Sequence, residues 1–266
     1  MKNFNFNRFK KVVARDFHNT YALFGMSMLI IMLLPLLFWL FAVAVQDDVV
    51  ESFNRLNFIQ LSVYITAAIS SMKIYNSCNL VGKGNYFAML PASLCEKFTS
   101  MMLYCFIVCP LAVFVGAFTV DTLLTLLPFG PYKEFLWQLP DWMLSNKGVF
   151  FPVYAMNFTG FVLIAMKVFV TASLFMLANT IFKKNKFLKT ILWLVIIFFV
   201  ACLIFIPVMN HINWDQEWLY RIVKWLNVKS EAQLIRLFFW SQFLFDAVLT
   251  FVFSFITYRR LKKMQY

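Results

Sequence analysis

The chain has 266 residues, of which 62% are hydrophobic and only 14% charged, and its mean hydropathy is +0.75. Soluble domains carry about 25% charged residues, so composition argues against a water-soluble globule, a disordered chain and a disulfide-stapled scaffold. An all-α polytopic membrane protein remains, and the place of its net charge of +12 along the chain decides whether that charge addresses nucleic acid or lipid.

In chain order, an arm over residues 1–20 comes first. Phe6, Phe9, Val13 and Phe17 recur at helical spacing on one face, and Arg8, Lys11 and Arg15 on another. This predicts an amphipathic helix in the headgroup plane of anionic lipid; the other reading is an unstructured basic tail that only sets orientation. A bilayer core about 30 Å thick takes roughly 20 apolar residues per span. On that measure six transmembrane helices are expected, near 21–45, 57–75, 99–121, 157–182, 188–209 and 237–258. The second is the most polar and is rich in Ser, Thr and Ala. The first apolar run follows about twenty residues of arm and is too long for a signal-peptide core, so no cleavable leader is expected.

Sorting the loops between these spans gives a consistent alternation. The arm, the second and fourth loops and the tail hold sixteen basic residues, with Asp16 and Glu96 as their only acids. The other three loops, where Arg55 and Asp121 fall, hold seven basic residues and nine acids. By the positive-inside rule both termini are cytoplasmic. The excess charge is an orientation signal facing anionic lipid, and no nucleic-acid partner is needed to explain it.

The longest loop on the basic side, 76–98, contains Leu90-Pro91-Ala92-Ser93. Ser93 with Glu96 three residues on has capping-box spacing, although Pro91 could itself be the first helical residue. Either way a short helix starts near residue 91. It places Leu94, Phe98 and Met101 on one side and Glu96 and Lys97 on another, a docking surface for a partner. Within the spans, Lys167 and Asp246 lie at about 24 and 20 Å from the basic side at 1.5 Å per residue. They form an interhelical ion pair, or Lys167 snorkels outward while Asp246 is protonated or faces water. Ser62, Thr66 and Ser70 share one face of the second span and either line a polar path or permit close packing. Pro35, Pro110 and Pro207 can kink their helices. Trp137, Trp142, Trp214, Trp218 and Trp225 place the outer loops at the interface. Cys105 and Cys109 read as packing, and His18 and His211 are isolated, so neither a metal nor a cofactor is expected.

The residues Leu90-Pro91-Ala92-Ser93 and Glu96-Lys97-Phe98, after the second span of a six-span chain with a basic arm, resemble those of type-2 ABC transporter permeases, especially the Bacteroidetes-like members. Ser173-Leu174-Phe175 with the stretch from Ile181 to Thr190 is similar to the family's loop between spans four and five. Tyr258-Arg259-Arg260-Leu261-Lys262 is similar to its tail. The likeness covers the whole chain in topology but recognisable motifs over about thirty residues only. It implies a multi-pass subunit of the bacterial inner membrane, working as a homodimer or paired permease, and an exporter that draws on a separate ABC ATPase. The arm would be the connecting helix. The 76–98 loop would be the coupling element, with Leu90, Pro91, Ser93, Glu96, Lys97 and Phe98 docking the ATPase. The chain has no phosphate loop of its own, since Gly82-Lys83-Gly84 lacks both the spacing and the hydroxyl residue. The alternative is a non-transporting membrane scaffold or sensor using the same surfaces.

Overall fold

A computed structural model describes residues 4–45, 52–79, 90–127, 132, 135–136, 158–211 and 231–264. The expected outer-loop tryptophans and the 80–89 part of the coupling loop lie outside these. The described chain is all-helical and forms six helical rods, five of them long and apolar enough to span a membrane.

The first rod joins α1 (Phe6–Met32) to α2 (Leu34–Val45). Asn5 caps α1, its Oδ1 accepting from the N–H groups of Asn7 and Arg8 at 2.9 and 3.4 Å. A break between arm and span near residue 20 does not occur: α1 runs through it without interruption. No proline stands between Phe6 and Leu34 to remove a donor, and the rod is interrupted only at Leu33, where Pro35 deprives the preceding turn of an N–H. The arm therefore continues the span's axis instead of forming a separate interfacial helix. Its inward stripe is Val12, Asp16, Thr20 and Phe24, four residues apart, while Phe6 and Phe17 of the expected apolar face are 61% and 65% exposed.

The second rod, α3 (Ser52–Ile74), is long enough to cross a bilayer but is the one of the six that falls short in apolarity. Its position explains this. It packs against α1, α2, α5, α6 and α7 (the last three defined below), so its polar face meets protein and not lipid. Ala67, Ser62, Thr66, Ser70 and Ser71 are all buried, small side chains that let neighbouring backbones approach.

The third rod starts with α4 (Leu94–Met102), widens into a π turn over Leu103–Val108, and continues as α5 (Cys109–Thr125). Pro110, just past the turn, has no N–H for the Phe106 carbonyl, and Cys109 N–H instead reaches back five residues to the Tyr104 carbonyl. The remaining rods are α6 (Phe158–Ile181), α7 (Lys186–His211) and α8 (Glu231–Met264). The core gathers Phe24, Ala67, Cys105, Val113 and Ala172, from α1, α3, the π turn, α5 and α6. The outside is apolar: Tyr21, Met26, Phe198 and Phe251 are each at least 70% exposed, which suits acyl chains and not water.

Candidate functional site: a buried polar junction

Two carboxylates organise the end of the bundle where the basic segments meet. Glu96 lies in the first turn of α4, where Ser93 is the N-cap: Glu96 N–H donates to Ser93 Oγ at 3.3 Å and Ser93 N–H returns to Glu96 Oε2 at 2.8 Å. The capping box is thus formed, and Pro91 stands before the helix. The second oxygen, Oε1, accepts from Asn5 N–H at 2.7 Å and from Arg8 Nη2 at 3.3 Å. One side chain therefore caps α4 and ties it to the start of α1. These donors hold the Glu96 side chain, which is fully buried.

Asp16 sits two helical turns further along α1, 1% exposed. Its Oδ2 accepts from Tyr75 Oη at 2.9 Å and Ser100 Oγ at 2.7 Å, and its Oδ1 from Arg15 Nε at 3.0 Å. The Asp16 carboxylate joins α1, the end of α3 and α4. Tyr104 Oη donates to the Val13 carbonyl at 2.8 Å, fastening the π turn to the same stretch of α1. Tyr258 of α8 meets this region through an edge contact with Phe98 at 5.4 Å and its hydroxyl 3.6 Å from Cys95 Sγ.

A third knot closes the end of α3. Asn179 Nδ2 donates to the Ser71 and Tyr75 carbonyls at 2.9 and 3.1 Å, and Lys186 Nζ to the Asn76 carbonyl and to Asn179 Oδ1, both at 2.7 Å. These groups satisfy carbonyls that a helix terminus otherwise leaves open, and a cation suits the negative end of the helix dipole. Asn185 holds a left-handed backbone at φ 50° in the tight turn between α6 and α7, a conformation Asn tolerates better than most residues. Beside this knot Cys78 is buried, and burial pushes its thiol up to about 12, so it stays protonated and unreactive near neutral pH.

At the far end of α3, Arg55 and Asp121 are 2% and 1% exposed and pair through two contacts, Nε to Oδ1 at 3.1 Å and Nη2 to Oδ2 at 2.5 Å. Nη2 also donates to Thr125 Oγ1 at 2.9 Å, and the guanidinium stacks 4.1 Å over the Tyr132 ring. From Arg55 to Tyr75 the rise is about 30 Å at 1.5 Å per residue, the thickness of a bilayer core. The two polar clusters therefore stand about one bilayer-core thickness apart along α3.

The expected site residues are redistributed accordingly. Glu96 and Lys97, 0% and 2% exposed, are buried and not part of the exposed surface of α4; capping turns Glu96 back on its own helix. Pro91 is exposed, Leu90, Ser93 and Phe98 are half-buried, and Leu90 and Phe98 pack on the main core. Ser62 and Thr66 donate to the carbonyls of Phe58 and Ser62, and Ser70 to that of Ala67, so these buried hydroxyls are bonded within their own helix, as close packing requires. Lys167 and Asp246 do lie on packed helices, α6 and α8, but form no ion pair. Lys167 is exposed on the outer flank of α6, whereas Asp246 is 8% exposed with Oδ2 lacking a hydrogen-bond partner. A fully buried ionic link between helices is formed by Arg55–Asp121, residues the charge pattern assigns to loops. Asp16 did carry a signal, as the one acid in a basic arm. Asn179, the one carboxamide in a largely apolar helix, carried another.

A groove of about 220 Å³ runs between α3, α5 and α6 beside the π turn, lined by Gln60, Val63, Phe106, Pro110, Phe114 and Phe161 among others. Among the described residues no group of His, Cys, Asp and Glu is placed to hold a metal ion. No protein-family model, curated protein or solved structure matches this chain.

Proposed function

We propose that this chain is the membrane subunit of an ATP-driven exporter of the type-2 ABC permease kind, relaying movements of a separate ATPase into the helical bundle. The observation that carries the reading is Glu96, one carboxylate that caps α4, at the end of the 76–98 loop, and grips the start of α1. A force on that loop enters α4, passes to α1 through Glu96 and Asp16, and reaches α3 through Tyr75. The π turn is next in line along the rod, and π turns recur at functional positions. It borders the apolar groove, where a change in α5 alters the space between α3 and α6. The basic end faces the cytoplasm of a bacterial inner membrane by the positive-inside rule, and a second copy or a paired permease completes the path.

The reading is tested by carrying a photo-crosslinker at Pro91 in otherwise native membranes and purifying the chain in mild detergent. The expected product is a cross-link to a polypeptide bearing a phosphate loop. Glu96→Gln should leave that complex intact while cutting substrate- or lipid-stimulated ATP hydrolysis by at least about tenfold, the loss of a charge-assisted bond worth about 1.5–3 kcal/mol. A cross-linked partner with no nucleotide-binding motif would favour the scaffold or sensor. Unaltered stimulation in Glu96→Gln would remove the proposed relay.

A further inference from the structure

Between the last turn of α3 and the turn joining α6 to α7 lies a cleft of about 550 Å³ that no part of the proposed relay uses. Four lysines line it, Lys73, Lys183, Lys184 and Lys186, and no acid does. Four like charges in one cleft repel one another, and an anion among them relieves that repulsion. Lys186 is 6% exposed and spends its two observed hydrogen bonds on Asn76 and Asn179, which fixes its ammonium at the inner wall. The other three are exposed at the mouth. Besides Asn76 and Asn185, the remaining lining is apolar: Ile69 and Met72 from α3, and Phe187, which packs against Phe175 at 6.1 Å and is 42% exposed.

A mouth whose only charges are basic, over an apolar wall at the level where α3 ends and α7 begins, matches the two halves of one molecule. We infer that this cleft is a binding site for an anionic phospholipid. Its phosphodiester sits among Lys73, Lys183 and Lys184, and the first carbons of its acyl chains lie against Met72 and Phe187. Basic pockets between transmembrane helices are the usual form of such headgroup sites. A zwitterionic lipid carries its own cation into a cleft that already holds four, and is disfavoured. A soluble phosphate satisfies the lysines but leaves the apolar wall against water. The site is independent of the transporter reading, because it needs only that this end of the bundle lies at a bilayer surface.

The test uses the full chain in detergent micelles, titrated with phosphatidylglycerol or phosphatidylcholine and read by native mass spectrometry. Phosphatidylglycerol should bind in preference. The triple change Lys73→Gln, Lys183→Gln, Lys184→Gln should weaken it by at least about tenfold, given roughly one surface charge's attraction per lysine removed. These side chains are exposed, so folding is not at stake. The tail change Arg260→Gln, Lys262→Gln, Lys263→Gln removes as many charges and should leave binding within about twofold. Equal loss in both variants would mean diffuse attraction and overturn the site, as would undiminished binding in the lysine variant. Glycerophosphoglycerol and inorganic phosphate at millimolar concentration should fail to displace the lipid. Displacement by either would assign the cleft to a soluble anion and overturn the lipid proposal.

Discussion

Replacing Asp121 with Leu leaves the Arg55 guanidinium facing an apolar side chain, with Thr125 Oγ1 and the Tyr132 ring among the contacts it keeps. Arg55 and Asp121 side chains are each 1% exposed, so water does not make up the loss. Breaking a buried pair from one side costs about 3–5 kcal/mol, and a guanidinium cannot escape by losing its proton. Arg55→Met strands a carboxyl instead, which can neutralise itself by taking up a proton, so the cost should be smaller, about 2 kcal/mol. With both changes together neither charge is left buried, and an apolar pair of similar volume should fall within about 1 kcal/mol of the parent. The assay is reversible unfolding in mixed micelles of dodecyl maltoside and sodium dodecyl sulfate, followed by tryptophan fluorescence. The expected order of stability is parent near the double variant, then Arg55→Met, then Asp121→Leu. If the double variant lost the sum of the single losses, or Arg55→Met cost more than Asp121→Leu, the claim of a desolvated, coupled pair would be refuted.

Asp16→Asn should cost about 2–3 kcal/mol through weakened bonds to Tyr75, Ser100 and Arg15, and should speed tryptic cleavage between Arg8 and Arg15; an unchanged cleavage rate would show that the carboxylate does not hold the arm. Gly116→Ala places a Cβ 2.5 Å from Met32 Sδ and should cost about 1 kcal/mol, since the thioether can shift; Met32→Ala should then be less damaging beside Ala than beside Gly116, and equal damage would deny the close approach. Asp246→Asn should be neutral or stabilising and Lys167→Met should change stability by less than about 0.5 kcal/mol, because the two form no pair; a coupling above about 1 kcal/mol in the double variant would restore the ion pair. Near pH 7 a maleimide should label the exposed Cys95 well before the buried Cys78, whose thiol is pushed up to about 12, and raising the pH to 9 should do little for Cys78; prompt labelling of Cys78 would mean that its pocket opens.

The amino-acid sequence by itself determined the features set by local composition and spacing. Runs of apolar side chains at bilayer length marked the lipid-crossing rods, because transfer from water depends on a residue's own surface. Ser93 and Glu96, three apart, were sufficient for the capping box because both partners lie on one turn. Proline at 110 identified a disturbance in its helix, though the form it took, a π turn, depends on the neighbours. Tertiary structure alone decided which face of each helix looks inward. Phe6 and Phe17 form an apolar stripe that on a soluble protein would be core, yet in a lipid-facing bundle Asp16 and Thr20 point inward instead. In a membrane the interior is where polar groups can find partners, and apolar side chains are equally content outside. The same reason hid Arg55–Asp121, 66 residues apart, behind a charge pattern that read as loops, and left Lys167 and Asp246 without an ion pair, one exposed and the other buried. Charge at a given depth can be counted along a chain; the partner it reaches is settled only when helices pack.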